Sequence, residues 1–419
     1  MRILLARRRG RAAVLAALAA AVLTTTACAG DGGEATTAAD LSLLGPANAA
    51  TGAPVKIGWV STGKTQAVDT TDEIRGAQAA AAYANEHLGG LGGRPIQLVV
   101  CEDRSTPAQA QDCGNRFVDE QVSAVAAGSP GQTDPWIQIV APAGIPAVLN
   151  FASTQTVLGT PGVFVWGNPL SAFGTPAAYA REHGVRKAVV VVIDVPAASG
   201  PARQLTPLFF GNAGSSANVV AVPPGTPDLT PQIQAAQNDE PGMYHILGDP
   251  TFCSGAIKAI RTLGITASIT ALDRCIGSDG GASIPGGFSD VQIIAQSNVD
   301  PADAEFKLFS AVIAQYGGGL GADANSVSGY QGMLGLVRAF NASGSTDTGP
   351  AGISAALKSM PATPYPLGGG ATFRCDGQAI PAISRNICST VGFVADAAED
   401  GTLSNFRRPD AAGIYELKR

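Results

Sequence analysis

The sequence predicts an α/β protein with two lobes, each built on a mostly parallel β-sheet flanked by helices. The apolar run 55–60 is followed by a polar loop at 61–70, a helical pattern at 72–88 and a second apolar run at 95–101. This strand–loop–helix–strand order builds parallel sheets. The same alternation restarts near residue 172, and 419 residues exceed the length of an average domain.

Composition supports a folded protein and excludes one class of partner. Hydrophobic residues make up 45% of the chain and charged residues 14%, which is enough apolar material for extensive cores. The formal net charge is −6. Since nucleic-acid binding requires a basic surface, we expect no nucleic-acid partner.

The N-terminus has the pattern of an export signal. Arginines within residues 2–11 precede the apolar stretch 12–23, which is too short to span a membrane. Cys28 follows a run of small residues and resembles the lipidated cysteine of a bacterial lipobox. We therefore predict a signal peptide at 1–27 and a lipid-anchored flexible tether at 28–53, which place the protein on the outer side of the cell membrane. The alternative is an ordinary secretory signal cleaved nearby.

Six further cysteines indicate disulfides, because their number is even and the chain is exported. Several pairings are possible, and sequence proximity favours three short loops. A zinc site is the competing interpretation, but the chain has no C-x-x-C pair and three histidines. We expect no metal and no cofactor. The favoured pairs are Cys101 with Cys113, Cys253 with Cys275 and Cys375 with Cys388.

Polar loops follow three of the predicted strands of the first half. They occupy residues 61–70, 128–134 and 152–155. Because the carboxyl ends of parallel strands share one edge of a sheet, these loops predict a concave polar rim. The periodicity of helix 72–88 leaves Glu73 off its buried face. The other elements predicted in this half are helices 107–120 and 134–143 and strands 122–127, 145–151 and 163–166.

The second half repeats the alternation. The unbroken β-branched run in strand 187–194 is typical of a parallel strand buried on both faces. Acidic residues end three of its strands, at Asp194, Asp249 and Asp273. Two such halves facing each other predict a two-lobed binding protein. The other elements are helices 172–183, 200–211, 230–238 and 253–264 and strands 217–222, 243–247 and 267–272.

The C-terminal third changes character after strand 291–296. Helices 301–316, 325–341 and 350–359 have no strands between them, so we expect them to pack on the first lobe. Region 371–394 has the pattern of two strands joined by a turn. The predicted lobes are 55–166 plus 297–372 and 168–296 plus 376–419.

No catalytic motif is present. The sequence contains no G-x-S-x-G, no P-loop and no G-x-G-x-x-G after a strand. His245 lies within an apolar strand, where a core role is expected. The strand-end aspartates could form the acid pair of a hydrolase, which is the alternative to a protein without catalysis. Nothing else in the sequence supports hydrolysis. We predict that the protein is not an enzyme.

Several segments carry a resemblance to a known family. The chain resembles type I periplasmic binding proteins, and among them the leucine/isoleucine/valine-binding family that serves ABC transporters. The resemblance covers 55–400 and is closest up to residue 195. The segments that carry it are VKIGWVSTG, EIRGAQ, NEHLGGLGGRPIQLVVCED, PAQAQDCGNRFVDEQVSAVAAG and GIPAVLNFAST.

The resemblance implies a ligand site between the lobes. Loops of the first lobe would hold the carboxylate of an amino acid, and an acid of the second lobe would hold its ammonium group. Asp273 falls at the position of that acid, and Asp249 is a second candidate. The residues implied on the first lobe are Ser129, Gln132, Thr133, Ala152, Ser153 and Thr154.

The resemblance also implies a function. A monomeric lipoprotein would capture a small polar solute, with a branched-chain amino acid as the first candidate, and deliver it to an ABC permease. Closure would occur about crossovers near 166–169, 296–300 and 370–378. Two alternatives remain open: a sensory module on the same fold, and an amide or aromatic carboxylate as the transported ligand.

Overall fold

The computed structural model describes residues 39–66, 68–277 and 279–417, with the side chains at 196 and 197 excepted. The predicted signal peptide and the proposed lipidation site Cys28 lie outside these residues. Within the described part of the chain, no helix is both long and apolar enough to cross a membrane.

The first lobe is built on a parallel sheet of five strands. These are β1 (Val55–Ser61), β2 (Ile96–Glu102), β3 (Ala124–Ala127), β4 (Ala147–Leu149) and β5 (Val163–Val165). They lie in the order β2-β1-β3-β4-β5. Each connection to the next strand carries a helix, as parallel pairing requires. The helices are α1 (Thr71–His87), α2 (Pro107–Asp119), α3 (Asp134–Val140) and the short α4 (Gln155–Gly159).

The second lobe continues with a further run of parallel strands. Alternate residues of its first strand enter opposite cores: Val190 and Val192 face one side, and Val189 and Val191 face the other. This two-sided burial explains the unbroken apolar run. The helices are α5 (Ser171–Glu182), α6 (Pro196–Asn212), α7 (Thr230–Gln237) and α8 (Pro250–Thr262); the strands are β6 (Lys187–Ile193), β7 (Ser216–Val222), β8 (Met243–Leu247), β9 (Ser268–Leu272) and β10 (Val291–Ala295).

Three helices after β10 return to the first lobe. They are α9 (Ala304–Tyr316), α10 (Ala324–Ala342) and α11 (Pro350–Ser359). Phe309, Met333 and Leu357 of these helices share one buried core with Trp59 of β1. The expected packing of this helical region is confirmed. Two short strands follow, β11 (Thr363–Pro364) and β12 (Thr372–Phe373), which pair with each other.

The prediction of two strands joined by a turn at 371–394 is wrong. The region contains β12 and the start of β13 (Phe393–Ala397), which belong to different sheets. β13 pairs antiparallel with β10 and with β14 (Leu403–Arg407). The second sheet therefore has seven strands in the order β14-β13-β10-β9-β8-β6-β7. Local sequence could not distinguish pairing between neighbours in the chain from pairing with β10.

All three favoured disulfides are confirmed: Cys101–Cys113, Cys253–Cys275 and Cys375–Cys388. The first joins β2 to α2, and the second joins α8 to the 3₁₀ helix Asp273–Cys275. The third lies on the connection between β12 and β13. Each closes a short loop, for which chain entropy gives roughly 3 kcal/mol of stabilisation.

Part of the segment predicted as a free tether is docked. Leu44, in the 3₁₀ helix Leu41–Leu44, is buried in the core of the first lobe. The backbone N–H of Asn48 donates to the carbonyl of Glu86 at 2.8 Å, and that of Ala50 donates to Asn85 at 2.7 Å. These contacts fix residues 44–50 on the first lobe, so this part of the predicted tether is not flexible.

Glycines set the separation between α1 and α10. A Cβ on Gly76 would lie 2.3 Å from the carbonyl oxygen of Ser326. A Cβ on Gly329 would lie 1.9 Å from the carbonyl oxygen of Glu73. Since both obstacles are backbone atoms, no side-chain rotation relieves them. The two helices are distant in sequence, and this close contact helps to unite the first lobe.

We predict that Gly329→Ala destabilises the protein by about 1–3 kcal/mol, the usual cost of overpacking. Gly211→Ala is the matched control, because Gly211 also lies in a helix and a Cβ there meets no atom within 4 Å. The control should be neutral or slightly stabilising. Urea denaturation of the two variants gives both values. Equal free energies of unfolding for the two variants would show that α1 and α10 can move apart without loss of stability.

Candidate functional site

A cavity of about 580 Å³ lies at the carboxyl ends of the second lobe's strands. Phe151 and Ser153 of the first lobe also line it. This edge is where open α/β sheets bind ligands. Most of its wall is apolar, and its polar lining residues are Ser153, Ser171, Asp249, Asp273, Arg274 and Gln296.

Four neighbouring strands provide an aliphatic surface within this cavity. Each contributes its last or last-but-one residue, and the strands lie side by side in the order β10-β9-β8-β6. The residues are Ile294, Leu272, Leu247 and Ile193. Phe173 of α5 extends the same wall. A ligand that covers this surface removes apolar area from water, which favours binding.

Asp249 and Asp273 both line the cavity, as their strand-end positions predicted. The Asp249 carboxylate caps α8 and accepts the backbone N–H of Phe252 at 2.9 Å. The Asp273 carboxylate accepts the backbone N–H of Arg274 at 2.8 Å. The residue Asp273 as a whole is exposed to solvent. Its carboxyl group is nonetheless desolvated by the surrounding wall, which raises the pKa of that group above the ordinary value. The charge of Arg274 and backbone N–H groups oppose this rise.

The polar loops of the first lobe bond mainly to one another. The Thr154 hydroxyl donates to the Asp134 carboxylate and accepts the backbone N–H of Val157, which caps α4. The Thr133 hydroxyl donates to the same carboxylate at 3.0 Å. These contacts hold the loop after β3 against the loop after β4.

Two buried carboxylates lie behind the loop that follows β3. Glu73 Oε1 accepts the backbone N–H of Gly128 at 3.0 Å and that of Ser129 at 3.3 Å. Asp103 Oδ2 accepts the backbone N–H of Gln132 at 3.3 Å. Glu73 is only 1% exposed, so its predicted position off the buried face of α1 is wrong. Helical periodicity describes a single helix, so it does not reveal a carboxylate that binds a loop more than fifty residues away.

Burial dominates the protonation of these two acids. Desolvation raises the pKa of Glu73 to about 8, although the two N–H bonds lower it, and the charge of Asp103 adds to the rise. Desolvation also raises the pKa of Asp103, against hydrogen bonds from Ser105, Gln132 and Thr62. Neither residue was predicted from the sequence to belong to the site.

The eight residues expected to bind a ligand divide into two groups. Ser153, Asp249 and Asp273 line the cavity. The others lie on the first-lobe loops, outside the cavity lining: Ser129, Gln132, Thr133, Ala152 and Thr154. Sequence reasoning missed Arg274 and the aliphatic strand ends, although their positions at strand ends could have indicated them.

His245 is a core residue, as expected. Its ring nitrogens contact Thr270 Oγ1 at 2.8 Å and the carbonyl oxygen of Ala172 at 2.9 Å. Desolvation lowers its pKa to about 4, which keeps the imidazole neutral. Among the described residues, no group of three or more His, Cys, Asp or Glu side chains could hold a metal ion.

The two lobes and the cavity beside their strand ends define a class of solute-binding proteins. The chain belongs to the periplasmic binding protein family, whose match covers residues 54–384. The predicted type I periplasmic binding fold is confirmed. This family binds solutes rather than transforming them. No curated protein matches the sequence.

Solved structures share the fold at low sequence identity. One is a solute-binding protein of an ABC transporter from R. palustris in complex with 4-hydroxybenzoate (20% identity, TM-score 0.63, 86% of this chain and 99% of that chain). Another is the branched-chain amino acid transporter protein LivJ from Streptococcus pneumoniae in complex with isoleucine (18%, 0.62, 85% and 100%). A third is a fatty acid ABC transporter substrate-binding protein from Thermomonospora curvata (16%, 0.65, 87% and 96%).

We predict that Glu73→Gln removes a pH-dependent loss of stability. In the unfolded chain Glu73 ionises near its ordinary pKa of 4.5, whereas in the folded protein it stays protonated up to about pH 8. The folded state therefore binds more protons between these values. The contribution of Glu73 to stability is fully present below the lower pKa. It is lost as pH rises, by up to about 1.4 kcal/mol per unit.

Urea unfolding of wild type and Glu73→Gln at pH 5, 6, 7 and 8 measures this effect. The variant should gain stability relative to wild type at each step, because Gln keeps the acceptor oxygen and lacks the charge. Glu240→Gln, at an exposed turn position, controls for loss of a surface carboxylate and should stay close to wild type throughout. Parallel curves for wild type and Glu73→Gln would contradict the assigned pKa.

Proposed function

We propose that this protein is the extracytoplasmic solute-binding lipoprotein of an ABC importer. The cavity between the first-lobe residues Phe151 and Ser153 and the strand ends of the second lobe carries this proposal. Cys28 would anchor the protein on the outer side of the membrane. The protein would act as a monomer that delivers its ligand to a permease, without a cofactor and without catalysis.

Hinge closure is the proposed binding mechanism. The chain passes between the two lobes three times: after β5, after β10 and between β12 and β13. Rotation about these connections would bring the loops at 129–133 and 152–154 onto a ligand seated against the second lobe. The free energy of ligand binding would favour the closed form.

The first candidate ligand is a branched-chain amino acid or a related compound. Ser153 and Asp273 face the cavity from opposite lobes, which supports a ligand held between them. Asp273 would pair with an ammonium group, since a buried charge requires a partner. The aliphatic strand ends would contact the side chain of the ligand.

The apolar wall also favours a second candidate, an aromatic or aliphatic carboxylate carried by the same kind of importer. The matched structures include proteins described with isoleucine, 4-hydroxybenzoate and fatty acids. At these identities the likeness concerns the fold, so the ligand must be measured.

A ligand panel tests the proposed function on residues 39–417, which belong to one compact unit. The panel contains amino acids, amides, sugars, aromatic acids and fatty acids. A true ligand at a thousand-fold excess over Kd should stabilise the protein by about 4 kcal/mol. X-ray scattering should then show a smaller radius of gyration. If no compound raises the thermal stability and none reduces the radius of gyration, the proposal is refuted.

For an amino-acid ligand, Asp273→Asn should weaken binding by about tenfold or more, the cost of an unpaired ammonium group. Asp112→Asn, on the exposed surface of α2, should leave binding unchanged. Full binding by Asp273→Asn would exclude Asp273 as the ammonium partner and leave the carboxylate alternative.

We predict that Cys28→Ser moves the protein from the membrane fraction into the medium. The two acyl chains of a thioether-linked diacylglycerol suffice for stable anchoring, and serine cannot form the thioether. Metabolic labelling with a radioactive fatty acid should label wild type alone. Membrane retention of the unlabelled variant would show that another element anchors the chain.

A further inference from the structure

The loop after β3 has no free backbone donor for a ligand anion. Gly128 and Ser129 donate to Glu73, and Gln132 donates to Asp103. Gly131 donates to the hydroxyl of Thr62 at 3.4 Å. Residue 130 is proline, which has no N–H. Every backbone N–H between residues 128 and 132 is therefore occupied within the protein.

The acids behind this loop make it a poor place for an anion. Glu73 and Asp103 are both buried, and each accepts the hydrogen bonds that a ligand carboxylate would need. A ligand anion there would have to displace an internal acceptor from these N–H groups. This displacement opposes binding, because it would leave a buried carboxylate oxygen without its hydrogen bonds.

The opposite wall of the cavity provides a cation that forms no salt bridge among the described residues. Arg274 follows β9 and lines the cavity. Among the described residues, no carboxylate oxygen lies within 4.0 Å of its guanidinium nitrogens. Other cations near the strand ends are paired, Arg203 with Asp194 at 3.4 Å and Lys64 with Asp69 at 2.8 Å.

The surroundings of Arg274 fit a ligand with an apolar body. The aliphatic strand ends Ile193, Leu247, Leu272 and Ile294 line the same cavity. Ser171 lines it too, and its buried hydroxyl has no hydrogen-bond partner among the described residues. The two aspartates of this wall, Asp249 and Asp273, already accept backbone N–H groups of the second lobe.

We infer that the ligand is an apolar carboxylate and that Arg274, on the second lobe, holds its carboxylate group. This inference rests on the proposed solute-binding function and names the ligand class of its site. A guanidinium offers two parallel N–H donors that match a carboxylate. The loop after β3 then closes over the ligand without binding its anion, which differs from the arrangement implied by the sequence resemblance.

Calorimetric titration with three acid–amide pairs tests the inference. The pairs are octanoate with octanamide, 4-hydroxybenzoate with 4-hydroxybenzamide, and isoleucine with isoleucinamide. At least one acid should bind about tenfold more tightly than its amide, because the amide lacks the charge. Arg274→Gln should weaken that acid by about tenfold or more and leave its amide unchanged.

Two controls separate this role from a structural one. Arg203→Gln removes a neighbouring cation that is paired with Asp194 and should leave acid binding nearly unchanged. Arg274→Lys keeps the charge without the fork and should bind with intermediate affinity. Thermal unfolding at the wild-type temperature shows that Arg274→Gln is folded.

Three results would overturn the inference. The first is equal affinity for acid and amide, and the second is full acid binding by Arg274→Gln. The third is binding of octylamine with no binding of any acid, which would leave the proposed solute-binding function intact. If none of the seven compounds binds (the three acids, their three amides and octylamine), this result would count against the inference and the proposed function together.

Discussion

A buried hydrogen-bond network holds the base of the cleft together. Asn150 donates to Gln331 at 3.1 Å and accepts from the Tyr365 hydroxyl at 2.9 Å. Gln331 also accepts from Ser297 and donates to the carbonyl of Pro366. The network joins the end of β4, helix α10 and the connection after β10. Since an unpaired polar group in this position would be costly, these distant segments must assemble together.

The two walls of the cleft differ in how far their polar groups are satisfied. In the first lobe, the loop after β3 is bonded to Glu73 and Asp103, so it is rigid and offers few free donors. In the second lobe, Arg274 lines the same cavity as the aliphatic strand ends and forms no salt bridge among the described residues. Specificity in such a cleft depends on which lining groups can still bind a ligand, and among the described lining residues Arg274 is the cation.

Much of the fold could be predicted because its signals are local. Strand-length apolar runs, helical periodicity and cysteine spacing identified the parallel sheets and all three disulfides. The site was less predictable, because its determinants combine segments far apart in the chain. Glu73 was assigned to the exposed side of α1 because a helical pattern shows nothing of the loop at 128–129. The pairing of β13 with β10 was missed for the same reason, since strands adjacent in sequence are the nearest partners that a local pattern suggests.

The disulfide Cys375–Cys388 changes the length of one connection between the lobes. The chain from Phe373 at the end of β12 to Phe393 at the start of β13 contains residues 374–392. Through the bridge, the covalent path needs only residues 374, 375 and 388–392. In the oxidised protein the covalent path of this connection is therefore short and comparable in length with the other two crossings. In the reduced protein the path is several residues longer. Oxidation thus shortens the covalent path between the lobes at this connection, and export into an oxidising environment would favour the shorter path.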